Sequence, residues 1–403
     1  MRKRPEEILK AQMLHWVTAL SLICLGQSRL CAQAASDSGQ KAETSQSWTA
    51  TSEQRSLSGD SNPVRTVQSH TERDGRKVDR QEVERLGPDG RYEPYADTER
   101  EEVRIDANTV RTVQRSFARG PDGQKTLVQV TEEESRALPD GQQRLVRSTS
   151  SPDVNGRLRT VQRELQETRQ SSPGVQVTKT TVMTSNIDGN LAPSVQIEER
   201  RTKKDNHNLE FHKSTLLPNG NGGWQVSEVR EGVVTEENDK SRTKDERRLQ
   251  PGPDGTLMLV GRTISKETGN GSAEQRETVE EYSTNVAGGF GDGSLQLNRR
   301  VTTVRRVRAD GQKTTQEQVE QTNPADPSEP LRLTQKRIDT MRLKPGGSSS
   351  ENRTIESLNA NGDLEVVWVN TSNVQTAPAV QVDMTKGSMA PAVNVDTKTA
   401  KPK

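Results

Sequence analysis

Aromatic residues make up 2% of this 403-residue chain and hydrophobic residues of all kinds 28%. An ordinary soluble domain carries roughly 45% apolar residues. The shortage excludes one thick apolar core and predicts a thin sheet solvated on both faces. Cysteine occurs only as Cys24 and Cys31. Both fall in an N-terminal stretch that reads as removable, so the remaining chain is expected to hold no disulfide and no Cys-bound metal. Excess charge of one sign is also missing: 58 basic residues meet 57 acidic ones. Such balance gives nucleic-acid binding no electrostatic footprint.

The same shortages apply to chemistry. No Gly-x-Ser-x-Gly elbow, phosphate-cradling loop or His-Glu-x-x-His motif occurs. His70, His207 and His212 are the histidines left once the N-terminus is set aside, and Glu210 shares a strand face with His212. With no second ligand motif and no nucleophile beside them, they read as solvated side chains. The Gly288–Ser294 segment has the glycine spacing of a calcium repeat but occurs once, so it reads as a loop. Glu132–Glu134 and Glu280–Glu281 would flank a sugar only within a cleft. The sequence therefore predicts no enzyme, no catalytic residue, no cofactor and no metal site.

What is present is a rhythm. Gly75, Gly90, Gly123, Gly141, Gly156, Gly174, Gly189, Gly220, Gly255, Gly271, Gly293, Gly311, Gly346 and Gly362 punctuate the chain. The short intervals between them are mostly about 15–18 residues, a length that fits one strand and its turn, and the long ones are close to double. Weaker turns at 106–108, 205–208, 237–239 and 326–328 fill the double intervals, giving about 17 elements between Gly75 and Gly362. Pro88-Asp89-Gly90, Pro121-Asp122-Gly123, Pro139-Asp140-Gly141 and Pro253-Asp254-Gly255 are tight-turn sequences, because Pro presets φ and Gly tolerates positive φ. The intervening segments are rich in Val and Thr and show short period-2 runs such as Val175/Val177. The predicted fold is all-β: an extended antiparallel meander of hairpins with a thin core. A β-propeller is the alternative suggested by a slower Arg-Thr-Val/Ile repeat, whose unit of about 48 residues would suit a blade. A partly disordered chain is the alternative that low hydrophobicity suggests.

Residues 1–34 read as a secretory signal peptide, with basic Arg2–Arg4, an apolar run Trp16–Leu25 and the small-residue pattern Ala32-Gln33-Ala34. Residues 35–62 read as a flexible lead, 63–372 as the hairpin repeat region and 373–403 as a disordered tail. Strand Gln124–Glu134, read by simple alternation, puts Lys125, Leu127, Gln129, Thr131 and Glu133 on one face. The other face holds Thr126, Val128, Val130, Glu132 and Glu134. Neither suits lipid, so no membrane span is expected.

The scattered aromatics Trp48, Trp224, Trp368, Tyr92, Tyr95, Tyr282, Phe117, Phe211 and Phe290 read as local packing anchors. The functional expectation is a secreted, non-enzymatic structural or adhesive element at the cell surface or envelope. Its expected partners are surface protein or polysaccharide, with self-association through sheet edges. The alternative is a compact extracellular module recognising glycan or protein.

Overall fold

The computed structural model describes residues 46–56, 63–73, 75–120, 122–238, 241–284, 295–323, 326, 329–344, 348–359 and 361–376. All belong to the unit Thr44–Lys403. The expected signal segment, almost all of the tail and the Gly288–Ser294 loop lie outside them.

Among the described residues twenty strands follow one another. In chain order they are β1 (Gln46–Ser56), β2 (Val64–Arg73), β3 (Arg76–Leu86), β4 (Tyr92–Arg104) and β5 (Thr109–Arg119). Next come β6 (Lys125–Ala137), β7 (Gln143–Pro152), β8 (Leu158–Ser172), β9 (Val175–Ser185) and β10 (Leu191–Lys203). They continue as β11 (Asn208–Pro218), β12 (Trp224–Asn238), β13 (Ser241–Pro251), β14 (Leu257–Thr268) and β15 (Glu274–Thr284). The last are β16 (Leu295–Val307), β17 (Lys313–Gln321), β18 (Arg332–Leu343), β19 (Ser349–Leu358) and β20 (Leu364–Thr376). The seventeen strands β3 to β19 lie between Gly75 and Gly362, the number that the turn rhythm predicts.

Each strand pairs antiparallel with its sequence neighbours, so the expected all-β meander of hairpins is the fold. Its two ends also meet. β1 pairs with β2 from Gln46↔Glu72 to Gln54↔Val64, and with β20 from Ala50↔Thr376 to Ser56↔Asn370. The sheet is therefore a ring in which every strand has two partners. β1 lies in the stretch expected to be a flexible lead, yet it is the strand that closes the ring.

One rim of the ring is regular. Gly90, Gly123, Gly156, Gly189, Gly222 and Gly255 recur at one constant spacing, all at positive φ. At Gly87–Arg91 the Gly90 N–H donates to Gly87 O at 3.0 Å and the Gly87 N–H to Arg91 O at 2.7 Å. Asp89 Oδ1 accepts the Arg91 N–H at 3.0 Å. This is a type I turn closed by one left-handed residue, the three-residue hairpin loop whose twist suits its strands. The structural repeat is thus one hairpin, the step from Gly90 to Gly123, rather than the longer Arg-Thr-Val unit. The Arg-Thr-Val copies fall on strands of differing order in the ring. At the fifth turn the left-handed residue is Gly222, and Gly220 takes the corner position that Pro88 or Pro253 occupies elsewhere.

A second device recurs with the same period. In each even strand from β4 to β20 one residue is extra to the ladder with the preceding strand. In the first six these are Tyr95, Val128, Val161, Ser194, Ser227 and Val260. Each is a β-bulge, which adds twist and reverses the alternation beyond it. Where the extra residue is Ser194, Ser227 or Thr334, its hydroxyl donates to a partner-strand carbonyl at 3.1 Å.

Candidate functional site

The register divides the wall into two faces. On the first, Asp97, Glu99 and Glu101 on β4 face Phe117, Arg115 and Val113 on β5, which face Leu127, Val130 and Glu132 on β6. This corrects the simple alternation: the bulge at Val128 brings Leu127, Val130, Glu132 and Glu134 onto one face. Following the pairs from strand to strand carries this face around the ring to Thr51 on β1. The second face begins from Gln114, Thr131 and Glu133.

Both faces are walls of paired charge. On the first, Arg300 stands between Glu280 at 2.9 Å and Glu320 at 3.6 Å. On the second, Arg147 lies 2.7 Å from Glu133 and 3.3 Å from Glu164. The carboxylates considered as sugar-flanking pairs therefore separate. Glu132 meets Arg111 on one face and Glu133 meets Arg147 on the other. Likewise Glu280 meets Arg300, whereas Glu281 meets Arg299.

The histidines do not converge. His70 Nδ1 lies 2.6 Å from Asp79, His207 Nδ1 lies 2.9 Å from Glu236 O, and His212 Nε2 lies 3.1 Å from Ser214 Oγ. Glu210 pairs with Lys204 instead of His212. Aromatic rings are capped one by one: Tyr92 by Arg65, Tyr95 by Arg85, Phe117 by Lys125 and Phe211 by Lys244. Trp224 and Trp368 fall on opposite faces, so they form no shared platform. Among the described residues no group of His, Cys, Asp and Glu has the arrangement of a metal site.

Two features emerge that residue types alone did not reveal. The first is the enclosed space. Twenty strands at ~4.8 Å spacing make a ring roughly 30 Å across before strand tilt widens it. Side chains fill the interior of an eight-stranded barrel, whereas rings of this order leave an aqueous lumen. Whichever face points inward, that lumen is polar.

The second is an apolar collar on the first face, confined to the regular rim. Flanking the turns are the pairs Leu86↔Tyr92, Pro152↔Leu158, Pro218↔Trp224, Pro251↔Leu257 and Leu358↔Leu364. Behind them stand Phe117↔Leu127, Leu216↔Val226, Leu249↔Leu259 and Tyr282↔Leu297. Leu158 is 49% exposed and Leu257 46%. The collar is two side-chain rows tall, about 10 Å. Among the described side chains, charges that interrupt it are paired: Glu84 with Arg65, Asp97 with Arg119 and Lys125, Glu320 with Arg300, and Glu356 with Lys336. Asp97, 5% exposed, receives Arg119 at 2.7 Å and Lys125 at 3.3 Å.

No family model matches the chain, and no curated protein matches it. Among solved structures it is similar to Pseudomonas aeruginosa OpdO, with 10% identity, a TM-score of 0.42, and coverage of 84% of this chain and 98% of that one. The siderophore receptor PirA from Acinetobacter baumannii is similar at 6% identity and a TM-score of 0.49, covering 84% and 74%. PirA from Pseudomonas aeruginosa gives 8%, 0.48, 85% and 81%.

These neighbours are outer-membrane barrels. They run against the expected freely secreted address, structural or adhesive role, glycan- or protein-recognising module, surface-protein or polysaccharide partner and missing membrane span. Ring closure adds its own correction, since the described strands leave no unpaired sheet edge for self-association. No helix among the described residues is long and apolar enough to cross a membrane, which says nothing of a barrel.

Proposed function

We propose that the chain is a hollow barrel of an outer envelope membrane that gives small hydrophilic solutes a water-filled passage, without catalysis. The observation that carries this reading is the closure of twenty polar strands into one ring. A lumen that side chains cannot fill must hold water, and walls with Arg, Lys, Glu and Asp interleaved favour hydrophilic solutes over apolar ones. Near balance of the two signs predicts weak discrimination between small anions and cations. The collar, about 10 Å tall, is shorter than the ~25 Å apolar band of a barrel embedded over its full height. The membrane therefore holds this barrel near one rim.

Adjacent residues on β5 test the passage. Arg115 and Gln114 point to opposite faces, so single cysteines there, with Cys24 and Cys31 replaced by serine, report the two walls. A small maleimide is expected to label both. A maleimide carried on a polymer wider than the lumen is expected to label one only. Equal labelling of both by the large reagent would sink the passage.

A further inference from the structure

We infer that the collar at the regular rim is a membrane seat: the first face is the outer wall, and its Leu158, Trp224 and Leu257 enter the interfacial layer of a phospholipid bilayer. Four observations support one flat, uncharged partner. The collar follows the turns of a closed ring, so its members lie at one level rather than in a groove. Its height of about 10 Å matches the ~5–10 Å depth to which interfacial elements sink. Trp224 and Tyr92 sit in its outermost row, where amphipathic rings favour the headgroup boundary. Charges within it are neutralised by partners on the same face, as Asp97 is by Arg119 and Lys125, so the surface presents paired charge to a low-dielectric phase.

The opposite assignment leaves the collar without a partner. Facing inward across the lumen of a ring roughly 30 Å across, leucines nearly half exposed would meet only water. Outward, they meet acyl chains. Beyond the collar, the same face turns to Glu99, Arg115 and Arg163, and the apolar contact ends there.

The seat rests on the proposed function only for the choice of a membrane as partner, and its test is independent of solute passage. In the full chain, Trp16, Trp48 and Trp368 are replaced by Phe so that Trp224 alone reports. Phosphatidylcholine vesicles brominated near the headgroup are expected to quench Trp224 at least twofold more than vesicles brominated near the chain ends. Replacing both Leu158 and Leu257 with Glu is expected to weaken vesicle binding on the order of a hundredfold, since each buried Leu contributes roughly a tenfold factor or more. The same change at Val103 and Val177, on this face but away from the collar, is expected to leave binding within about twofold. Far-ultraviolet circular dichroism establishes that both variants keep their strands.

Trp224 unquenched by either lipid would overturn the seat, as would equal loss of binding in both double variants. So would a rim-to-rim dimer seen by sedimentation without vesicles and abolished by the collar change. If quenching holds but the two-face labelling fails, the passage reading falls alone.

Discussion

The two rims of the ring are built differently. At one, six turns repeat at a constant spacing, each hairpin carries its bulge a few residues inward, and apolar pairs line the first face. At the other, the links include the turn at Asp106–Asn108, a short 3-10 turn at Pro139–Gly141, the Pro173-Gly174 corner and the tight loop at Gly269–Ala273, with charged residues behind them. The difference shows where register is fixed. A one-residue slip exchanges faces, and it costs most where one face is apolar. The collar therefore stands at the rim whose turns leave least freedom, while the charged rim tolerates turns of many lengths.

Glycine substitutions should break this comparison most sharply. Gly269, at the irregular rim, has φ +76°, and an added Cβ would lie 2.2 Å from Glu274 O. Gly255, at the regular rim, has φ +81° with nothing within 4 Å of that Cβ. Gly269→Ala is expected to cost more than about 3 kcal/mol, and Gly255→Ala about 1–2 kcal/mol, the ordinary left-handed penalty. Urea unfolding of both variants checks the order. Equal losses would show that the two turns are equally crowded.

A smaller effect separates a buried charge cluster from an exposed pair. Asp97→Asn removes the carboxylate that holds Arg119 and Lys125 beside the collar, for an expected loss of roughly 2–3 kcal/mol. Glu274→Gln touches only a pair with Arg306 in which both side chains are more than half exposed, and is expected to leave the unfolding midpoint almost unchanged. Thermal unfolding of the two variants measures the contrast.

Turn carboxylates supply the smallest effect, shared by both rims. At the regular rim, a hydrogen bond from the Thr256 hydroxyl holds Asp254 below the usual carboxylate value. The Arg157 backbone N–H does the same for Asp153. At the other rim, the Asn108 backbone N–H lowers Asp106, and the Asn208 side chain lowers Asp205. A folded value below the unfolded one makes this stabilisation fully present above the ordinary value of 3.8, and it is lost as pH falls through the folded value. Asp254→Asn is therefore expected to lose stability at neutral pH and to flatten the acid limb of the unfolding midpoint plotted against pH. An unchanged acid limb would remove Asp254 from the account.

The rhythm was legible in the sequence because turns have local chemistry. Pro at the corner, Asp beside it and Gly at positive φ name a turn without reference to the rest of the chain. The collar was not legible. Period-2 counting along Gln124–Glu134 separates Leu127 from Val130, and only the extra residue Val128 reunites them. A bulge leaves no fixed residue type: Tyr95, Val161 and Ser194 serve equally. Gly220 misled for a related reason, since Gly220, Gly222 and Gly223 crowd one turn and the sequence has no way to say which is left-handed. Closure was hidden because it depends on β1, whose sequence QSWTATSEQRS is polar and has no apolar stripe. Its place is set by backbone pairing with both neighbours.

Closure of the ring through β1 is the claim on which lumen, passage and seat all depend, and a disulfide across the seam tests it most directly. Glu53 and Asn373 are paired residues of β1 and β20. With Cys24 and Cys31 changed to Ser, the Glu53→Cys, Asn373→Cys chain is expected to form an intramolecular disulfide on mild oxidation, as a control pair at Thr315 and Asp339 across β17 and β18 should. Cross-linking in the control but not at the seam, or only between molecules at the seam, would contradict the closed barrel.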